Sequence, residues 1–150
     1  MFLCCICLIF GIFAGDLWIK NHVEQGDMPA SLWKNRILLK KYHNKGAILN
    51  LGQNRRAAVA ALSVVLCTLM AIVFFLSFGA RGNRLLRIGL SLLLGGSFSN
   101  TYDRLKRKYV VDYFSFNVKC KGIRKIVFNI SDFCIMIGAL LVVLGTSAET

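Results

Sequence analysis

Seven acidic residues occur in this 150-residue sequence, and four of them stand where a charge is costly: Asp16, Asp103, Asp112 and Asp132 abut apolar stretches, unlike Glu24, Asp27 and Glu149. A carboxylate at mid-bilayer costs roughly 3 kcal/mol, so such a residue marks a working site. Two carboxylates held close together do not both ionise readily; they share a proton and their pKa values separate. A pair in that state can activate a water and protonate a leaving amine without a metal. The plainer reading of any one Asp is an ion pair with a nearby base, such as Asp103 with Arg104 or Lys106. That reading is weaker for Asp112 and Asp132, which run into aromatic and aliphatic residues in "VVDYFSF" and "SDFCIMI".

Asn100 and Asp103 are three residues apart, as are Asn129 and Asp132, and helical spacing puts each pair on one face. Asparagine supplies neutral donors and acceptors suited to holding a carboxylate or a peptide group inside a membrane. The small residues of "LGGSFSN" permit close helix approach, which is more often packing than catalysis. Other chemistries find little support. There is no H-E-x-x-H, P-loop or G-x-G-x-x-G, and His22 and His43 form no ligand cluster. "GGSFSN" is not a nucleophile elbow. A Ser–Lys dyad stays open, although no spacing singles one out. "NIS" at Asn129 matches a glycosylation sequon but lies at a helix mouth. No metal and no cofactor are expected.

The elements that must position these residues are apolar. The chain is 56% hydrophobic and 17% charged, with a mean hydropathy of +0.59, where a soluble domain averages about 25% charged. Apolar residues bunch in four runs: from the start to Lys20, between Arg56 and Arg81, between Arg87 and Asp103, and after Lys125. A span needs about 20 mostly apolar residues. The second run, 57–80, fits cleanly, whereas the third and fourth reach that length only with their polar ends. The expected fold is an all-α integral membrane protein with four transmembrane helices. The first run lacks the positive n-region of a signal peptide. It is read as a retained helix, with room for a few residues ahead of Met1. Cys4, Cys5, Cys7, Cys67 and Cys134 lie inside apolar runs, where cysteine packs as a small hydrophobe, and only Cys120 sits in a polar segment. Palmitoylation of the "CCIC" stretch is a minor alternative to packing.

Four spans place the end of the first helix, the start of the second, the end of the third and the start of the fourth on one membrane face. Asp16, Lys20, the loops 21–56 and 103–125, Asn129 and Asp132 therefore gather there, while the other face holds "ARGNR" and the termini. "RILLKKYHNKGAILNLG" in the first loop, which also carries Pro29, reads as short strands with turns. Residues 1–150 read as one domain. Eight Lys and Arg fall in 20–56, three in 81–87 and eight in 104–125. The positive-inside rule leans toward a cytoplasmic polar face; contact with anionic phospholipid from the outer side is the alternative. Nucleic-acid binding does not fit bases split between loops of an embedded protein.

The order of the segments resembles the bacterial signal peptidase II family, the lipoprotein signal peptidases, over essentially the whole chain. "GDLWIK" is similar to a family D-x-x-x-K (Asp16, Lys20), and "HNKGAILNLG" to R-N-x-G-A-A-F (Asn44, Gly46). "GGSFSNTYDRL" is similar to G-G-A-x-G-N-x-x-D-R (Asn100, Asp103, Arg104), "YVVDYFSF" to V-V-D-F (Asp112), and "FNISD" to F-N-x-A-D (Asn129, Asp132). The resemblance implies an aspartyl protease of the cell membrane that cuts a prolipoprotein just before its diacylglyceryl-modified cysteine. It implies Asp112 and Asp132 as the catalytic dyad. Asn44, Gly46, Asn100, Arg104 and Asn129 would position substrate or dyad, and Asp16, Lys20 and Asp103 would support the site. It also implies cytoplasmic termini, a small extracytoplasmic β-rich loop segment with the active site near the outer leaflet, and inhibition by globomycin. This reverses the lean given by charge.

The sequence departs from the family pattern at Leu49 (Phe in the family), Ser99 (Gly), Tyr113 (Phe) and Ser131 (Ala). Leu49, Ser99 and Ser131 fall at substrate-facing or tightly packed positions, so altered specificity is an expectation. Two other readings compete. An inactive relative would bind lipidated peptides without cutting them, and a proton- or ion-coupled transporter subunit would need its acids along a path near mid-membrane rather than at one face.

Overall fold

The computed structural model describes residues 1–26, 31–32, 34, 36–47, 51–79 and 83–147. Asp27, Pro29, Leu49, Ala80, Arg81, Gly82 and Glu149 lie outside the described residues. Four long helices carry the fold: α1 (Phe2–Gln25), α2 (Arg56–Leu76), α3 (Arg84–Lys106) and α5 (Ile130–Ser147). Between α1 and α2 come the strands β1 (Ser31–Leu32) and β2 (Ile37–Asn44). Between α3 and α5 come β3 (Val110–Phe116) and a one-turn helix α4 (Lys121–Lys125). The strands form one antiparallel sheet in the order β1-β2-β3. The short strands read from the first loop are therefore present, and the second loop supplies their partner.

α1, α2 with the turn before it, and α5 are each long and apolar enough to cross a membrane. α3 is long enough, since its 23 residues span about 35 Å at 1.5 Å per residue, but not apolar enough by the same measure. Its position supplies the reason. α3 packs against α1, α2 and α5, so its Ser, Asn, Thr and Asp face protein rather than lipid. α2 is the converse, with Leu62, Leu66, Leu69 and Leu76 exposed.

A glycine seam sets the closeness of α3 and α5. Gly89 and Gly96 on α3, and Gly138 and Gly145 on α5, are each seven residues apart. A Cβ at Gly96 would lie 2.5 Å from the Ser131 carbonyl oxygen, and one at Gly138 would lie 2.7 Å from both Gly89 O and Leu93 N. Backbone cannot move aside as a side chain can, so these positions admit no larger residue without parting the helices. Cys5 and Cys67 sit in the apolar core with Ile9, Phe74, Leu90 and Leu94. All six cysteines are free; Cys5 and Cys67 are the buried ones, while Cys4, Cys7 and Cys120 are exposed.

The bounds of α1 and α3 differ from the sequence reading. α1 continues five residues past Lys20, ending at Gly26 with φ 87°, the left-handed cap that favours glycine. α3 extends beyond both ends of the run 87–103 because its polar ends are held: Asn83 Oδ1 caps Leu86 N at 3.1 Å, and Asp103 O accepts from Arg107 N at 2.7 Å.

Candidate active site

β3 brings Asp112 to the helices. Val110 and Val111 are buried at 2% and 0% exposure, and Val23 of α1 packs against Val111 and Tyr113. Side chains alternate along a strand, so Asp112 and Tyr113 point to opposite faces. Asp112 pairs with Tyr42 of β2. On its other side β3 is zipped to the segment before α5: Tyr113 N and Phe114 N donate to Phe128 O at 2.9 and 3.0 Å, and Phe128 N donates to Phe114 O at 2.8 Å. Phe114 stacks on Phe133 of α5 with centroids 5.2 Å apart. The residue after Phe128 is Asn129, which therefore enters beside Asp112.

Asn129 and Asp132 cap α5 reciprocally. Asp132 N donates to Asn129 Oδ1 at 2.9 Å, and Asn129 N donates to Asp132 Oδ2 at 3.1 Å. This is a capping box with Asn in place of the usual Ser or Thr and Asp in place of the usual Glu or Gln, so the three-residue spacing is a helix start rather than two side chains along a helix face. The same Asn129 links the acids. Its Nδ2 donates to Asp112 Oδ1 at 2.7 Å and to Asn100 Oδ1 at 3.2 Å, while Asn100 Nδ2 donates to Asp132 Oδ1 at 2.9 Å. Asp112 and Asp132 both line one cavity of about 610 Å³. Burial, and then the Asp132 carboxylate nearby, push Asp112 up to about 7, against hydrogen bonds from Asn129 and Asn44 and the charge of Lys20.

Asn44 closes the turn after β2: its Nδ2 donates to Ala47 O at 3.0 Å and its Oδ1 accepts from Gly46 N at 3.1 Å. Gly46 O in turn accepts from Arg104 Nη2 at 3.4 Å, and Asn100 O from Arg104 Nη1 at 3.3 Å. Both bonds are long, and among the described residues Arg104 Nε has no hydrogen-bond partner although buried. Asn44, Asn100 and Arg104 line the same cavity as the two acids, whose apolar part is formed by Leu66, Met70, Leu93, Ile135 and Met136.

Asp16, Lys20 and Asp103 form a second cluster behind this one. Lys20 Nζ lies 2.7 Å from Asp16 Oδ2 and 3.1 Å from Asp103 Oδ2, with all three side chains at 0% exposure. Nζ also donates to Ser99 Oγ at 3.0 Å and Asn100 Oδ1 at 2.9 Å. Asp103 further accepts from Val111 N at 3.2 Å and has Arg107 Nε at 3.4 Å, so its partners are Lys20 and Arg107 rather than Arg104 or Lys106. A Ser–Lys contact thus exists, but Ser99 Oγ gives its proton to Asp16 Oδ2 at 2.6 Å and Lys20 is held between two carboxylates. Neither residue lines the cavity of the acid pair, and Asn129, at 0% exposure, is closed to glycosylation.

All ten residues that the family motifs pointed to are thereby gathered into two adjoining clusters. The sequence reading missed the hydroxyls. Ser131 Oγ also donates to Asp16 Oδ2 at 2.6 Å, and Tyr113 OH donates to Asp16 Oδ1 at 2.9 Å. Ser99 and Ser131 are fully buried and face Asp16 rather than a substrate. A signal was available, because three of the four departures from the family pattern each add a hydroxyl.

The family model described as Signal peptidase (SPase) II matches residues 8–147. The chain is similar to the lipoprotein signal peptidase of Clostridium acetobutylicum, 33% identical over 127 residues that cover 84% of this chain and 79% of that one. It is similar to that of Clostridium tetani, 31% identical over 142 residues covering 93% and 88%. A solved structure described as "Bacterial membrane enzyme structure by the in meso method at 2.3 A resolution" shares the fold with a TM-score of 0.82 at 19% identity, covering 97% of this chain and 88% of that one. With a family match over nearly all of its length and several apolar membrane-crossing helices, the chain belongs to the signal peptidase II family, as a multi-pass membrane protease acting on lipoprotein signal peptides.

Proposed function

We propose that the chain is an aspartyl endopeptidase that removes the signal peptide of a prolipoprotein just before the diacylglyceryl-modified cysteine, with Asp112 and Asp132 as its catalytic pair. The observation that carries this reading is that the two acids line one cavity, joined through Asn129 and Asn100, with Asp112 pushed up to about 7. Near neutral pH the pair then holds one proton. Asp132 takes a proton from a water as the oxygen attacks the scissile carbonyl, and Asp112 hands its proton to the carbonyl oxygen. Collapse of the tetrahedral intermediate, with proton transfer from the pair to the departing nitrogen, breaks the C–N bond. Arg104, with Nε unpartnered among the described residues, together with Asn44 and Gly46, orients the substrate backbone. Asp16, Lys20 and Asp103 hold the site from behind.

The apolar part of the cavity suits the acyl chains of the modified cysteine, since Leu66 and Met136 are 53% and 58% exposed toward the membrane. A globomycin-type cyclic peptide blocks cleavage by filling the same cavity. The polar end faces outward from the cell membrane, and its bases meet phospholipid headgroups there. Residues 1–150 act as one peptidase domain. The gathering of the acids at one end of the helices, away from mid-membrane, supports a hydrolase over a transporter subunit.

The test is cleavage of a diacylglyceryl-modified prolipoprotein by purified protein in detergent, beside Asp112→Asn and Asp132→Asn. Cleavage before the lipidated cysteine, lost in both variants, is expected. Full activity in either variant overturns the dyad. Binding without cleavage by the wild type replaces the enzyme with a lipopeptide-binding relative.

A further inference from the structure

Three hydroxyls converge on Asp16, and one of them does something the other two do not. Ser99 and Ser131 both donate to Oδ2 at 2.6 Å. Tyr113 donates to Oδ1 at 2.9 Å, and its oxygen also accepts from the backbone N–H of Ile130 at 3.0 Å. Ile130 is the first residue of α5, whose leading N–H groups have no partner within the helix. Tyr113 OH therefore touches α1 and the start of α5 while its own backbone belongs to β3. Burial and the Asp16 carboxylate push its phenol above the ordinary value, so the hydroxyl keeps the proton it donates.

A rigid ring therefore links the strand that carries Asp112 to the helix start that carries Asp132. Tyr113 follows Asp112 in β3, on the opposite face of the strand, and Ile130 lies two residues before Asp132 in the first turn of α5. Tyr113 is 3% exposed, and a buried tyrosine ring has two side-chain torsions to lose, so it makes a stiff connection. We propose that Tyr113 is a positioning residue of the peptidase, a strut that pins the α5 N-terminus to Asp16 and so fixes where Asp132 stands relative to Asp112. Ser99 also accepts from Lys20 Nζ at 3.0 Å within the same cluster, and Ser131 donates to Asp16 alone; among the described residues neither reaches the backbone of α5 through its hydroxyl. The role rests on the proposed Asp112–Asp132 dyad. Where the family pattern has phenylalanine, no hydroxyl spans this gap; here the capping of Ile130 and the fixing of Asp16 run through one oxygen.

The experiment compares wild type, Tyr113→Phe and Ser131→Ala in cleavage of the diacylglyceryl-modified prolipoprotein, with Tm measured on each in the same detergent. Misplacing one partner of a reacting pair acts on the chemical step, so Tyr113→Phe is expected to lower kcat about tenfold with KM within about twofold. Ser131→Ala is expected to lower Tm while kcat holds. The strut is overturned if Tyr113→Phe lowers Tm alone, if its effect falls on KM, or if Ser131→Ala lowers kcat equally. Because Tyr113→Phe is read against an active wild type, its failure is distinct from failure of the peptidase reading, in which the wild type does not cut at all.

Discussion

The protein holds two clusters of acids side by side, made from the same residue types, and they differ in how completely each charge is answered. Asp16 and Asp103 share one ammonium, and Asp16 also receives three hydroxyls. The side chains of Asp16, Lys20 and Asp103 are all at 0% exposure. Asp112 and Asp132 receive asparagine donors and a backbone N–H but no ion pair within 4 Å among the described residues. They face a cavity instead. A buried cluster whose carboxylates are held by cations and hydroxyls fits the supporting role, although Asp103 Oδ1 has Arg107 Nε at 3.4 Å and no hydrogen bond among the described residues. An under-answered pair keeps a proton in play, which is the state the proposed reaction needs.

Four measurements sharpen or break that contrast, beyond the tyrosine strut. The largest effect belongs to the open pair: Asp112→Asn and Asp132→Asn should each lower cleavage on the order of 10^4-fold while Tm holds or rises, because each replaces a buried carboxyl group that no cation answers with a neutral amide of the same shape. An accompanying collapse of Tm would show that the open pair is structural after all. The saturated cluster should respond the other way. Lys20→Met leaves two buried carboxylates without their shared cation, which should destabilise by about 3–5 kcal/mol; a Tm near that of the wild type would contradict the reading.

The third prediction is a pH dependence. Asp112 sits at about 7 against an ordinary value of about 4, so its proton is retained through the acidic range. Cleavage should fall about tenfold per pH unit above about 7 as both acids ionise. The folded chain also holds a proton that the unfolded chain has released between those values. The stability contributed by this group is therefore complete below about 4 and is lost as pH rises toward about 7. A pH–rate profile flat to pH 9 would remove the shared proton. The smallest effect is expected at a third acid site. Glu24 Oε1 meets His43 Nε2 at 2.7 Å and Glu24 Oε2 meets Lys41 Nζ at 2.8 Å, all partly exposed. His43→Gln should change stability by less than about 1 kcal/mol in denaturant titration and leave kcat intact.

The residues of both clusters were legible in the sequence, and the family resemblance divided them into a dyad and a supporting group, but the contacts that separate the two were not legible. Asp103 was read beside a base and Asp112 less so, but the base was sought at Arg104 or Lys106. What separates them is Lys20, which reaches Asp103 from 83 positions away in the chain and leaves Asp112 outside the ion pairs. The asparagine spacings were legible too, but the second proved to be a helix cap that ties Asp132 down. Ser99, Tyr113 and Ser131 could be noted as departures, yet their common target could not, because they come from two helices and a strand.

The sequence by itself determined the membrane character, the apolar helices, the glycines that admit a close seam and the identity of the acids. Each follows from composition or local spacing, which sets solvent preference and backbone conformation residue by residue. Tertiary structure alone decided that α3 runs inside the other helices and so tolerates its polar residues. It also decided that one lysine neutralises two acids, that three hydroxyls meet on Asp16, and that the remaining two acids face an open cavity. Those outcomes depend on Coulomb and hydrogen-bond partners within about 3 Å of each other, and the partners come from helices and strands far apart in the chain.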